Sequence, residues 1–233
     1  MKRPRFITNE IYHIYNRGVE KRNVFISDKD YFRFIHNLFE FNDKAPACNI
    51  FYKLPFLNSY EVGLRKNPTR KCVVEILAFC LMPNHFHLMV RQKHSNGITE
   101  FMRKLGTGYT NYFNLKYKRV GSLFQGKFRA IHLNRQAYFL YLPFYIHLNP
   151  LDLIISNWRE KEIKEIEVDK AVKFLDKYRW SSYLDYISDK NFPLVTSRKF
   201  LLNFFNGPEN YRRETINWLR RSNLAELENI FLD

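Results

Sequence analysis

Two apolar runs joined by a Pro-Asn dipeptide constrain the fold of this chain more than any other feature. Residues 72–82 read CVVEILAFCLM, and residues 85–90 read HFHLMV directly after Pro83-Asn84. Short apolar runs rich in β-branched and aromatic residues favour strands, whereas Pro followed by Asn favours a turn or a break. We therefore expect a central strand over the first run and a second extended segment after the turn.

Shorter patterns on either side alternate between strand and helix. A strand is expected over roughly Ile11 to Asn16, and a helix follows from Ser27, which has Asp30 at capping-box spacing. The other elements expected from periodicity are helices over 97–117 and 134–150 and, between them, a turn and a strand in 119–133. Helices alternating with unevenly spaced strands predict an α+β fold, in which helices pack on a small antiparallel sheet.

Two residues of the helix expected over 134–150 determine its form. Asn134 is a favourable N-cap residue, so we expect the helix to begin there. Pro143 lies in its interior, where a proline removes a hydrogen bond and clashes with the preceding turn. We therefore expect this helix to be kinked or broken in two.

The periodic elements divide the chain into a main domain and an extension. Residues 1–186 hold the strands and helices above, with a loop-like insertion over about 42–71 that mixes Pro, Asn, Gly and charged residues. Residues 187–233 are helical in character and are expected to form a C-terminal extension. The first residues lack the apolar core of a signal peptide, and no apolar run has the length of a membrane span. We therefore expect a cytoplasmic protein without a membrane partner.

The charge distribution indicates the kind of partner. The formal net charge is +15, and residues 101–151 contain no Asp or Glu. Such a positive field attracts a polyanion, and the interleaved Tyr and Phe side chains suit stacking on bases better than contact with an acidic membrane surface. Nucleic acid is therefore favoured over an idle basic surface. The basic residues of this stretch are Arg103, Lys104, Lys116, Lys118, Arg119, Lys127, Arg129 and Arg135.

His85 and His87 are the strongest candidates for chemistry. Alternate residues of a strand project from the same face, so the two rings lie together with their Cα atoms roughly 7 Å apart. A lone histidine in an apolar run is usually a satisfied core residue, but two on one face must both find partners. Spacing alone leaves two alternatives, a core role or a role in binding metal or phosphate.

A two-histidine metal site needs a third ligand and, for phosphoryl chemistry, a nucleophile. Tyr145 and Asn149 stand at i and i+4, so they share one face of a helix. The amide oxygen of Asn149 suits Mg²⁺ or Mn²⁺, and a tyrosine beside such an ion can attack a phosphate. Spacing does not choose the tyrosine, because equal candidates remain at Tyr109, Tyr112, Tyr138 and Tyr141.

Five short motifs occur in an order typical of one family. They are MPNHFHLMV, MRKLGTGYTNYFN, GSLFQGKFRA, YIHLNP and WSSY. Together they resemble the single-tyrosine HUH transposases, and most closely the REP-associated tyrosine transposases, over roughly residues 8–41 and 72–186. In that family a histidine–hydrophobic–histidine triplet on the central strand of an antiparallel sheet binds a divalent metal. A tyrosine on a nearby helix cuts single-stranded DNA and leaves a 5′-phosphotyrosine and a free 3′-hydroxyl.

The resemblance implies a role for each matching residue and makes residues 1–186 the transposase domain. His85 and His87 match the metal-binding triplet, Asn149 the additional metal ligand, and Tyr145 the nucleophile, which separates it from the other tyrosines. The implied ion is Mg²⁺ or Mn²⁺, and the implied partner is single-stranded DNA that forms a hairpin, bound by a monomer or a homodimer. The residues expected near the DNA are Arg17, Arg103, Lys104, Lys116, Lys118, Arg119, Gln125, Lys127 and Arg129.

Three functions are compatible with these residues. The expected one is a transposase that cleaves and rejoins single-stranded DNA by metal-dependent transesterification at hairpin-associated sites. The alternative is a domesticated, non-catalytic protein that binds the same hairpins, and the intact His85, His87, Tyr145 and Asn149 argue against it. A metal hydrolase of small phosphoesters would use water as its nucleophile and would leave the basic stretch unexplained.

Overall fold

A computed structural model describes residues 3–45, 70–160 and 163–220 of the protein. Four strands form one antiparallel sheet in this part of the chain. Their bounds are Ile11–Arg17 for β1, Val74–Met82 for β2, His85–Gln92 for β3 and Arg129–His132 for β4. The strand order is β2-β3-β1-β4, so β3 and β1 lie at the centre. The expectation that residues 72–82 form a central strand is therefore wrong, because β2 is an edge strand whose outer side is covered by backbone hydrogen bonds with residues 180–182. The expectation of an α+β fold built on a small antiparallel sheet is confirmed.

The two apolar runs form a tight hairpin, β2–β3. Their pairing leaves only Pro83 and Asn84 in the turn. The turn is held from outside, because the carbonyl of Pro83 accepts the backbone N–H groups of Val24 and Phe25 at 2.8 and 3.0 Å. This fixes the position at which β3 begins, and His85 is its first residue.

Helices cover both faces of the sheet. In the described residues they are Asp28–Glu40 (α1), Gly97–Lys116 (α2), Gln136–Leu148 (α3), Glu165–Leu175 (α4), Tyr183–Tyr186 (α5), Lys199–Phe204 (α6) and Pro208–Leu219 (α7). The core under α1 and α2 includes Phe86 and Leu88, whereas the core under α3 includes Met89. Because side chains alternate along a strand, His85 and His87 face the α3 side.

Helix α3 differs from its expected form in two respects. Arg135 still has an extended backbone (φ −119°, ψ 135°) and occupies the N-cap position, so the prediction that Asn134 caps the helix is wrong. The helix also continues through Pro143, so the expected break is wrong, while a kink at this residue stays a prediction. Most of its residues are buried, so tertiary packing outweighs the hydrogen bond that the proline removes.

The described residues include little of the predicted insertion and most of the C-terminal region. Residues 46–69 of the predicted insertion lie outside the described ranges. Beside them, the Asn42 side-chain oxygen accepts the N–H groups of Val73 and Val74 at 3.1 and 3.0 Å and so anchors the start of β2. The C-terminal region contains the helices α6 and α7, whereas residues 187–198 are turns and irregular backbone, and residues 221–233 are not described. Helix α4 has no counterpart among the expected elements.

Helix α7 packs against α3. The ring of Phe144 stacks on those of Tyr211 and Trp218, with centroids 5.2 and 5.6 Å apart. The Nδ1 atom of His147 is 2.7 Å from the Tyr211 hydroxyl, and its Nε2 atom is 2.8 Å from the Ser182 hydroxyl. Aromatic and hydrogen-bonded contacts with α7 and Ser182 therefore hold α3 in place.

His147 predicts a loss of stability in acid. Burial lowers the pKa of His147 from 6.5 to about 3. Below pH 6.5 the unfolded chain takes up a proton at His147 and the folded chain does not, so acid favours unfolding. The free energy of unfolding should therefore fall by about 2 kcal/mol between pH 7 and pH 5, and should fall further as the pH approaches 3. We expect His147→Gln to lose correspondingly less free energy of unfolding over this interval, as measured by urea denaturation at both pH values. Equal losses in the variant and the wild type would contradict this assignment.

Asp30 ties α1 to α2. Its fully buried carboxylate accepts hydrogen bonds from Lys116 Nζ at 2.6 Å, from the Tyr117 hydroxyl at 2.7 Å and from the Ser27 backbone N–H at 2.9 Å. Burial alone would raise the pKa of this carboxyl, but these hydrogen bonds hold it below its usual value. The contact with Ser27 forms at the capping-box spacing noted in the sequence.

Removal of this carboxylate should destabilise the protein strongly. We expect Asp30→Ala to lower the free energy of unfolding by about 2–4 kcal/mol, because the Tyr117 hydroxyl and the Ser27 N–H would lose their charged acceptor. Glu100→Ala is the matched control, since Glu100 pairs with Lys104 at 3.0 Å on the surface of α2 and its loss should cost less than about 1 kcal/mol. Urea denaturation at pH 7 measures both, and equally small losses would show that the buried network contributes little.

Candidate active site

The candidate site lies on the α3 side of the sheet, where β1, β3 and α3 meet. The rings of His85 and His87 have their centroids 5.0 Å apart on this face of β3. On the neighbouring strand β1, Tyr15 pairs with His87 and Arg17 pairs with His85. The face thus gathers two imidazoles, a phenol and a guanidinium.

His85 stands between two amide oxygens. Its Nδ1 atom is 2.6 Å from Asn84 Oδ1, and its Nε2 atom is 3.2 Å from Asn149 Oδ1. The Asn84 amide is oriented by its Nδ2 atom, which donates to the carbonyl of Lys21 at 3.2 Å, so its oxygen faces the ring. Burial, partly offset by the contact with Asn149, lowers the pKa of His85 to about 4. The ring is therefore neutral at physiological pH and carries one proton.

One proton cannot serve both oxygens. Donation from Nδ1 to the nearer Asn84 leaves His85 Nε2 and Asn149 Oδ1 as two acceptors that face each other. A divalent cation satisfies such a pair, since ligands about 2.1 Å from an ion in adjacent octahedral positions lie about 3 Å apart. The spacing of His85 and Asn149 therefore fits a shared metal ion.

His87 is held from behind by a third histidine. Its Nδ1 atom is 2.8 Å from His13 Nε2, and His13 Nδ1 is 3.1 Å from the Tyr138 hydroxyl. Burial lowers the pKa of His13 to about 3 and that of His87 well below its ordinary value, so both rings are neutral. Donation from His87 Nδ1 to His13 leaves His87 Nε2 unprotonated, which is the form that binds a metal. His13 is thus in position to set the tautomer of His87.

Tyr145 meets these histidines edge-on. The centroid of its ring is 5.4 Å from that of His87 and 5.8 Å from that of His13, at interplanar angles of 84° and 75°. The ring of Tyr141, one turn earlier, lies 5.5 Å away. These contacts orient the Tyr145 ring, and helical spacing sets Asn149 one turn further along the same face. The fold therefore brings the three predicted ligands and the predicted nucleophile together, while their roles stay predictions.

A guanidinium also contacts Tyr145. Arg159 lies in the segment after α3, with its Cζ atom 5.4 Å from the centre of the Tyr145 ring. Its Nη1 atom is 2.5 Å from Asp152 Oδ1, which also accepts the indole N–H of Trp158 at 2.7 Å. A guanidinium at this position can attract the phosphate of a nucleic acid.

Four exposed residues among those predicted to contact DNA lie on two faces of the sheet. Arg17 and Arg129 lie on the α3 side, where Arg129 pairs with Tyr15. Arg103 on α2 and Lys127 in the loop before β4 line a cleft on the opposite face. Positive charge is therefore available on both sides of β1.

Three other predicted residues are engaged by the protein itself. Lys104 pairs with Glu100, Lys116 belongs to the buried network of α1 and α2, and Arg119 donates to Asn114 Oδ1 at 2.9 Å. The remaining two predicted positions are exposed residues outside helices and strands, Lys118 and Gln125. A part for these five residues in DNA binding stays a prediction.

Comparison with known families agrees with this geometry. The family model described as IS200-like transposase matches residues 64–149, a segment that includes the histidine pair, Tyr145 and Asn149. Residues 64–149 are therefore similar to the IS200-like transposase family. The transposase match thus ends at the residue whose amide faces His85.

A solved structure shares the fold of this chain over most of both chains. It is described as a REP-associated tyrosine transposase bound to a REP hairpin. The two sequences are 10% identical, and the match covers 84% of this chain and 90% of the other chain with a TM-score of 0.50. Together with the family match, this fold likeness confirms the resemblance to the single-tyrosine HUH transposases that the motifs indicated. No curated protein is significantly similar to the chain in sequence.

Within residues 3–45, 70–160 and 163–220 of the chain, no group of three or more His, Cys, Asp or Glu side chains is arranged to hold a metal. A third ligand for an ion at His85 and His87 would come from another residue type in these ranges, as the amide of Asn149 would. No helix in the same ranges is both long and apolar enough to cross a membrane.

Two residues around the candidate site were not singled out in the sequence. His13 occupies an alternate position of the segment IYHIY, which is the same signal that drew attention to His85 and His87. Pairing β1 with β3 would have found it. Arg159 lies ten residues beyond Asn149 in a segment without periodicity, and no sequence pattern predicts its return to Tyr145.

Proposed function

We propose that this chain is a transposase that cleaves and rejoins single-stranded DNA by metal-dependent transesterification, through a 5′-phosphotyrosine intermediate. The observation that carries the proposal is the convergence of His85, His87 and Asn149 with Tyr145 on one face of the sheet. The ion would be Mg²⁺ or Mn²⁺, since two imidazoles and an amide oxygen leave room for water and phosphate ligands. Residues 1–186 would be the catalytic unit and residues 187–233 its extension.

The chemistry requires one charge-neutralising group and one nucleophile. When bound, the divalent ion neutralises charge on the scissile phosphate. The Tyr145 hydroxyl oxygen attacks phosphorus, so a Tyr–O–P bond forms while the P–O3′ bond breaks. The phenolic proton is released, and the leaving 3′-oxygen takes up a proton to become a free 3′-hydroxyl. Attack by a second 3′-hydroxyl reverses these steps and rejoins the strand.

The proposed substrate is single-stranded DNA beside a hairpin. A protein of the same fold is described as bound to a REP hairpin. In this chain Arg17 and Arg129 are exposed on the face that carries the histidine pair, where they can hold phosphates next to the cleaved one. The net charge of +15 favours the same class of partner.

Binding to hairpin DNA should weaken steeply with salt. Five exposed cations, if all contact phosphates, predict a slope of about −3.5 in a plot of log K against log salt for a single strand. The five are Arg17, Arg103, Lys118, Lys127 and Arg129. Fluorescence anisotropy between 50 and 300 mM KCl, concentrations chosen to span roughly physiological salt, measures the slope. A slope near zero would contradict a partner held by its phosphates.

The test of the proposed function is a covalent-trapping assay in which the two DNA ends are labelled separately. The purified chain is incubated with single-stranded hairpin DNA from the flanks of its own gene and with Mg²⁺ or Mn²⁺, and the products are resolved on a denaturing gel. A 5′-phosphotyrosine joins the protein to the fragment on the 3′ side of the cut. Only the 3′-end label should therefore migrate with the protein, while the 5′-end label appears on a free, shorter strand.

Each outcome of this assay has a distinct meaning. Chelation of the metal with EDTA should remove the adduct without preventing hairpin binding. Hairpin binding without an adduct in either metal would contradict the proposed chemistry and favour a non-catalytic hairpin-binding protein. Migration of the 5′-end label with the protein would reverse the proposed polarity of the covalent link.

A further inference from the structure

A second concave surface lies on the face of the sheet away from the histidine pair. It is an open cleft of about 580 Å³ between α2 and residues 122–128, the loop that precedes β4. We call it the α2 cleft. Phe34 and Phe86 line it, and Phe86 lies between His85 and His87 on β3, so it projects from the opposite side of the sheet.

The α2 cleft combines an apolar floor with a positive rim. Phe34 and Phe86 are buried beneath its floor, and the guanidinium of Arg3 lies 4.0 Å above the centre of the Phe128 ring at its wall. Arg103 and Lys127 are exposed at its margin, and none of the described residues that line it is acidic. A concave surface with an apolar floor and cations at its rim suits an unpaired base and the phosphates on either side of it.

Gly106 forms part of the cleft wall that α2 provides. It is the tenth of 20 residues in this helix, an interior position where glycine is among the least favourable residues. A Cβ atom at Gly106 would meet nothing within 4 Å, so packing among the described residues does not require a glycine there. At Gly108, by contrast, packing does require a glycine, because a Cβ atom there would approach the ring of Phe41 to 2.6 Å. The helix therefore leaves its surface bare where it borders the cleft.

We propose that the α2 cleft receives an unpaired nucleobase of the DNA on which the transposase acts. The base would lie against the bare backbone at Gly106, and the side chains of Thr107 and Asn111, which also line the cleft, would offer hydrogen bonds to its edge. Arg103 and Lys127 would hold the phosphates on either side of the base. The identity of this ligand rests on the proposed function, whereas the cleft and its chemistry do not.

Two consecutive residues of β1 connect the cleft with the candidate active site. Asn16 lines the α2 cleft, and its Nδ2 atom donates to the carbonyl of Gly126 at 3.1 Å. The next residue, Arg17, projects to the other side of the sheet, where it pairs with His85. DNA that occupies both sites would therefore pass around the end of β1, with its negative charge next to Arg17.

An abasic scan combined with a protein variant tests the proposal. Anisotropy in the absence of divalent metal measures the affinity for hairpin DNA that carries an abasic site at each unpaired position in turn. We expect one abasic position to weaken binding by the wild type about 10-fold or more, the scale of one stacked base. Gly106→Leu should weaken binding of intact DNA by a similar factor and should remove the sensitivity to that position. Leu115→Ala, an exposed position of α2 outside the cleft lining, is the control and should bind as the wild type does.

Gly106→Ala separates a loss of binding from a loss of folding, because weaker binding together with a higher Tm cannot result from misfolding. Alanine should raise the Tm by about 2–4 °C, because helix propensity improves and no atom is displaced, while hairpin binding becomes weaker. Equal binding by wild type and Gly106→Leu, or an abasic effect that persists undiminished in that variant, would overturn the proposal. Failure of the proposed function has a separate signature, since the wild type would then form no covalent adduct whatever the Gly106 variants bind.

Discussion

Replacement of Tyr145 by phenylalanine should abolish the covalent DNA adduct and leave hairpin binding nearly unchanged. The change removes only the oxygen atom that would form the bond to phosphorus, and the ring keeps its edge contacts with His87 and His13. Loss of a covalent nucleophile lowers rates by about 10⁴-fold or more. The trapping assay measures the adduct, and anisotropy with the same DNA measures binding.

Tyr141→Phe is the matched control for this experiment. It removes a hydroxyl from the same helix, one turn earlier, from a ring whose centroid lies 5.5 Å from that of Tyr145. We expect the Tyr141 variant to form the adduct as the wild type does. An adduct that survives in Tyr145→Phe and disappears in Tyr141→Phe would show that the nucleophile is Tyr141 and that Tyr145 was chosen wrongly. Loss of hairpin binding in Tyr145→Phe would instead indicate a folding defect.

Replacement of His87 by alanine should remove the metal from the site. Mutation of a residue that only hydrogen-bonds to a metal ligand lowers metal affinity by about 10- to 100-fold. Loss of a ligand itself should therefore weaken Mn²⁺ binding by more than about 100-fold. The adduct should disappear at metal concentrations that saturate the wild type. Titration followed by the electron paramagnetic resonance of free Mn²⁺ measures binding without DNA and without turnover. Unchanged Mn²⁺ affinity would place the ion elsewhere.

His13→Gln should also weaken Mn²⁺ binding, but by less than His87→Ala does. The variant keeps His87 but loses the ring nitrogen that lies 2.8 Å from its Nδ1 atom, so Mn²⁺ affinity should fall by about 10- to 100-fold. His132→Gln is the control, because this histidine pairs with Glu10 at the edge of the sheet. Equal Mn²⁺ affinities in the wild type and in His13→Gln would show that His87 does not depend on His13 for its tautomer.

The parts of the fold that were predicted correctly depend on local information. The apolar runs around Pro83-Asn84 specify a hairpin whatever packs on it, and the alternation of a strand puts His85 and His87 on one face. The helical spacing of Tyr145 and Asn149 likewise needs no knowledge of the tertiary structure. The family resemblance added the choice among the tyrosines, which spacing had left open.

The parts that were missed depend on tertiary contacts. Helix α3 continues through Pro143 because it is buried, and a local rule for proline has no access to burial. His13 becomes relevant only when β1 lies beside β3, and Arg159 only when its irregular segment folds back on Tyr145. Asn134 is a favourable cap by residue type, but the extended backbone of Arg135 moves the start of the helix beyond it.

The support that α7 gives to α3 affects how copies of such a gene in a genome should be counted. A copy interrupted after the WSSY motif would keep every motif from the hairpin onward and would look intact by motif content. It would lack Tyr211 and Trp218, whose rings cover Phe144, and with them the packing that holds the tyrosine helix. Such copies would encode the tyrosine helix without the aromatic packing on Phe144. Motif content alone therefore overestimates the number of copies that encode a stably folded protein.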